Sequence, residues 1–174
     1  MTDDTSRILV LHAELPAGRL QLTKPVALDD LIDGLDMLND DMTAYLDRCT
    51  NAVVTIDREI VILSERDEPD EWADWQREMI EVVREVEKGS ERYVQLPSQR
   101  DVHEWDIMRR FCDNVEDERL RQLLLHTIHG RGAFRRFKSE LDREGLLDRW
   151  FDFKRNDLRE KVIAWCLEND IPYA

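Results

Sequence analysis

The sequence predicts an α+β fold, predominantly helical, with a small antiparallel sheet made of a hairpin plus one or two further strands. Three observations lead there. "PVALDDLIDGLDML" repeats its apolar residues at helical spacing, and "MTAYLDRCTNAVVTI" sets β-branched and aromatic residues on both sides of "DRCTN". Beyond Pro97 the chain is mostly apolar stripes of helical period divided by stop signals.

The elements follow in order. "RILVLHAELPAGRLQLT" clusters apolar residues around a "PAG" break and reads as two short strands or an extended arm. In the first helix Leu28, Leu31, Ile32, Leu35 and Leu38 share a face, and acid in the early turns suits the macrodipole. After the hairpin, "REIVIL" offers a third strand. "ERDEPDE" then interrupts the pattern before a helix whose apolar face is Trp72, Trp75, Met79, Val82, Val83 and Val86. Pro69 near its start and Gly89 past its end fit the positional preferences.

"RYVQLP" reads as a further strand closed by Pro97. Asp101 and Glu104 resemble a capping box for a helix burying Trp105, Met108, Phe111, Cys112 and Val115. The next helix carries Leu120, Leu123, Leu124 and Ile128 and stops at Gly130. After "GRG" a short helix turns Phe134, Phe137 and Leu141 inward, and one or two closing helices follow "REG". Trp150, Phe151 and Phe153 are expected in the core. Residues 1–25 read as an N-terminal extension and 26–174 as one domain, with the acidic stretch near 64–71 the best candidate for an internal linker.

A 42% apolar, 37% charged chain of 174 residues describes a soluble globular protein. No apolar run approaches the roughly 18–20 residues of a membrane span, and the acid-bearing N-terminus does not read as a signal peptide. Cys49, Cys112 and Cys166, an odd count without CxxC spacing, argue for reduced thiols in a cytoplasm, packed as small hydrophobes.

Against a net charge of −14, one segment stands apart. From Arg119 to Ser139 there are five arginines, one lysine, two histidines and no carboxylate. A helix starting near Arg131–Ala133 already carries partial positive charge at its first turn, where acid is the stabilising choice. This chain puts Arg131, Arg135 and Arg136 there. At i, i+4 Arg136 can reach Glu140 and Lys138 can reach Asp142, whereas Arg135 meets only Ser139. Such a cluster needs an anion: a phosphate, an acid of the chain's own first hundred residues, or an acidic surface of another protein or subunit. The first hundred residues carry a balance of −12 and the remainder −2. Nucleic acid, repelled by the chain at long range, would be held only locally and in a salt-sensitive way.

Other chemistry finds little footing. His126 and His129 are spaced to face one metal, but HExxH is absent and the surrounding arginines oppose a divalent cation. Histidines placed favourably at a helix C-terminus are the preferred reading of the pair, and no metal site is expected. There is no GxSxG, phosphate-loop lysine motif or dinucleotide fingerprint, and no cofactor is expected.

"HGRGAFRRFKSEL", followed by "GLLDRWFDFKRNDLREKVIAWCLENDIPY", resembles the C-terminal pattern of the bacterial Uncharacterised Protein Family 0158. "LDDLIDGLDM…MTAYLD" and "VQLPSQRDVHEWDIMRRFCDNV" are similar to its earlier blocks, so the resemblance spans roughly residues 26–173. It implies a bacterial cytosolic protein and assigns no catalytic residue. The expectation is a non-enzymatic binding or regulatory module that contacts an anionic partner through His129, Arg131, Gly132, Ala133, Arg135, Arg136 and Lys138. Self-association is compatible with this. The alternatives are a purely structural island docked on the acidic N-terminal half, and an enzyme clamping a phosphorylated substrate.

Overall fold

A computed structural model describes residues 24–66 and 72–174. The expected N-terminal strands lie outside the described residues, as do Pro69 and most of the acidic linker stretch. Helix α1 (Leu28–Asp36) leads into strands β1 (Met42–Asp47) and β2 (Val53–Asp57), then helices α2 (Arg58–Ser64) and α3 (Asp74–Glu87). Strand β3 (Tyr93–Gln95) and the single turn α4 (Gln99–Val102) precede four longer helices: α5 (Glu104–Asp113), α6 (Glu118–Thr127), α7 (Ala133–Arg143) and α8 (Leu147–Glu168). The closing segment is therefore one helix. The antiparallel sheet has the order β2-β1-β3, with Thr43 opposite Ile56 and Leu46 opposite both Val53 and Val94.

Strand alternation divides the core. Ala44, Leu46, Val53 and Val94 face the main cluster, built with α1 and α5–α8. Tyr45 and Ile56 face a smaller one holding Ile60, Trp72, Ile80 and Val83. The helical packing of Ile60 in that second cluster is why "REIVIL" is helix α2 and not a strand. Asp57 caps it by accepting from the Glu59 N–H at 2.8 Å, so capping and burial override β propensity.

Three further expectations shift. The capping box lies one turn earlier: Ser98 N donates to Asp101 Oδ2 at 2.8 Å, and Asp101 N donates to Ser98 Oγ at 3.4 Å. His103, left-handed at φ 51°, separates that turn from α5. Trp75 is 60% exposed, and Ile80 joins Val83 as the buried residues of α3. Leu123 and Phe151 also reach solvent, while Trp150 is buried and Phe153 packs partly buried against the core.

The acid of α1 is answered from α8. Arg155 bonds Asp29 at 2.8 Å and Asp33 at 2.7 Å, and Lys154 bonds Asp36 at 2.7 Å and Glu104 of α5 at 2.8 Å. The chain ends beside its first described residues, with Val26 N donating to the Pro172 carbonyl and Ala174 N to that of Val26.

Candidate functional site

The α6–α7 corner carries the cationic segment, and two glycines shape it. Gly130 (φ 77°) and Gly132 (φ 73°) are both left-handed, a conformation that strains any residue with a Cβ. The chain reverses around Arg131, and Gly132 becomes the N-cap of α7. "GRG" is thus a helix-to-helix turn. An aromatic cluster fixes the helix behind it. Phe137, fully buried, meets Phe111 of α5 edge-on at 6.1 Å and Trp150 of α8 at 5.0 Å.

The cations of this corner fall into two groups. Arg136 points backward along α7. Its Nη1 donates to the Arg131 carbonyl at 2.5 Å and its Nη2 to the His129 carbonyl at 2.6 Å, with the Thr127 carbonyl at 3.5 Å. The Thr127 carbonyl ends α6, where a helix leaves acceptors unpaired and the dipole end is negative, and those of His129 and Arg131 belong to the loop beyond it. Lys138 lies over two rings, its Nζ 5.4 Å from the centroid of Phe134 and 5.3 Å from that of Phe151. The expected Arg136–Glu140 and Lys138–Asp142 pairs do not form. A fork reaching three nearby carbonyls displaces the first, and ring faces hold the second ammonium. Glu140 pairs instead with Arg143 at 2.9 Å.

Arg131 and Arg135 form the second group. Both are exposed, and among the described residues neither has a carboxylate within salt-bridge distance. Ser139 Oγ, the neighbour one turn on, donates to the Arg135 carbonyl at 2.9 Å and leaves the guanidinium to solvent. Arg119 on α6 is likewise exposed without an acid, whereas Arg121 pairs with Glu118. His126 and His129 are exposed, and among the described residues no group of three or more His, Cys, Asp or Glu side chains is placed to hold a metal.

Two residues that sequence reasoning did not place there join the corner. Trp105 was expected in the core, yet it is 41% exposed. Its Nε1 donates to the Ile128 carbonyl at 3.0 Å, and its ring lies 6.1 Å from that of His129 at an interplanar angle of 54°. Arg109, one turn along α5, stands 5.9 Å from the Trp105 centroid. A missing partner for an indole N–H within its own helix was the only available signal, and periodicity does not register it. On the other side of Phe134 lies a pocket of about 290 Å³ lined also by Asp36, Glu104 and Lys154, whose charges are already paired with one another.

Chemically, the corner offers exposed guanidinium forks beside an aromatic face and the amide groups that open α7. It presents no nucleophile–base pair. No helix among the described residues is long and apolar enough to cross a membrane. Comparison with curated proteins gives no match, and comparison with solved structures gives none. One family model matches residues 23–174. With the match covering most of its length, including every element described above, the chain belongs to the uncharacterised protein family UPF0158.

Proposed function

We propose that this protein is a cytoplasmic, non-enzymatic binding module that contacts an anionic partner through the surface running from His129 to Lys138. The observation that carries the reading is the pair Arg131 and Arg135, exposed and, among the described residues, without an acid, while Arg136 and Lys138 beside them are held internally. An exposed fork beside the positive end of a helix is a good receptor for phosphate or carboxylate oxygens. Three acids of α1, Asp29, Asp33 and Asp36, are already engaged by Arg155 and Lys154. Gly132 is the N-cap that opens α7, the Ala133 N–H is already donated to the Gly130 carbonyl at 3.2 Å, and Arg136 sets the loop from which Arg131 projects.

The alternative, an island that is purely structural, draws support from Arg136 and Lys138, although their partners are carbonyls and rings rather than acids. The cytoplasmic assignment rests on the cysteines, all free, two of them buried as small apolar groups.

Binding of inorganic polyphosphate, followed by calorimetry between about 50 and about 300 mM salt, tests the proposal. Affinity that falls steeply with salt is the expected result. No binding, or binding indifferent to salt, would overturn it.

A further inference from the structure

We propose that the anionic partner is a single-stranded nucleic acid, with Trp105 as the platform on which one base stacks. This rests on the anion-binding reading above and specifies it. Trp105 is 41% exposed on a helix that buries Ile107, Met108, Phe111 and Cys112. Its ring is held in place, because the N–H is committed to the Ile128 carbonyl at 3.0 Å and His129 leans on it at 6.1 Å. Arg109 lies over the ring, 5.9 Å from its centroid, and, among the described residues, pairs with no acid. The chain from Trp105 through His129 to the loop carbonyls gripped by Arg136 is a continuous run of contacts, and Arg131 and Arg135 continue it as free charge.

A surface that alternates cation and fixed aromatic matches a polymer that alternates phosphate and base. Free phosphate would use the guanidinium groups and leave the indole idle. A duplex keeps its bases stacked inside, out of reach of a single exposed ring. The net charge of −14 disfavours long tracts of backbone, so the contact covers only a few nucleotides.

The test compares a fluorescein-labelled thymidine oligonucleotide of about fifteen nucleotides with an abasic oligomer of equal length by anisotropy. Stacking of one base is expected to favour the thymidine oligomer about tenfold. Trp105→Ala should erase that preference and leave abasic affinity unchanged. Trp105→Phe, which keeps a ring and loses only the bond to Ile128, should retain most of it. Arg131→Gln/Arg135→Gln should weaken both oligomers alike. Equal affinities in the wild type, an undiminished preference in Trp105→Ala, or its full loss in Trp105→Phe would overturn the nucleic-acid assignment. If the abasic oligomer still bound and still depended on Arg131 and Arg135, the anion site would stand without it. If neither oligomer bound while inorganic polyphosphate did, the nucleic-acid assignment alone would fall.

Discussion

The guanidinium of Arg136 donates to the carbonyl of His129 at 2.6 Å, so an arginine of the cationic segment ties α7 to the loop that follows α6. The same fork holds the Arg131 carbonyl. Replacing Arg136 with Met strips the donor from a partly exposed corner and should destabilise the fold by about 1–2 kcal/mol in urea unfolding. Arg136→Lys should recover little of this, because a point ammonium does not reproduce a planar fork. A neutral outcome would show that the corner holds itself without Arg136.

Asp47 and Arg92 form the best-buried ion pair of the sheet, through bonds of 2.8 and 2.9 Å. Burial raises the Asp47 pKa, but the Arg92 bond, the Cys49 N–H and the Arg92 charge together outweigh it and hold the carboxyl below its ordinary range. A depressed folded-state value gives stability that is present above the unfolded pKa of about 3.9 and lost as pH falls through the lower folded value. Acid unfolding should therefore steepen below about pH 4, and Asp47→Asn should flatten that limb. An unchanged acid limb in the variant would contradict the assignment.

Gly34 lets α1 settle on the sheet. A Cβ there would meet Val53 Cγ1 at 2.7 Å, and valine is too stiff to turn aside. Gly34→Ala gains about 1 kcal/mol of helix propensity, yet overpacking of about 1–3 kcal/mol should leave it net destabilised or at best neutral. A clearly raised melting temperature would mean that α1 can shift outward without loss.

The cysteines should react unequally. Burial pushes the Cys112 thiol up to about 12 and the Cys166 thiol up to about 11, while Cys49 is exposed. Cys49 is itself raised, by partial burial first and the Asp47 charge next, so it should react more slowly than a free thiol. Ellman titration of the folded protein should register one thiol and the denatured chain all three. Rapid labelling of two or three in the folded protein would disprove the packing of α5 and α8.

Much of this was legible in the sequence because burial follows period. Helix α1, the β1–β2 hairpin, β3 and the inward Phe137 and Leu141 are where spacing puts them. What was not legible depended on contacts distant in the chain. "REIVIL" has strand composition, and only the second cluster on the far sheet face makes it helical. Trp105 sits in an apolar stripe, but a carbonyl of another helix draws its edge to the surface. Arg136 had an acid at the right spacing and took backbone carbonyls instead. The unusual concentration of cations was plain from the residues, whereas their division into held and free groups required the fold.

The most direct test of the central claim is the affinity of Arg131→Gln/Arg135→Gln for inorganic polyphosphate. With two exposed charges removed and stability within about 1 kcal/mol of wild type, binding should fall by tenfold or more, on the order expected for two lost charge-assisted contacts. Undiminished affinity in a folded double variant would contradict the account.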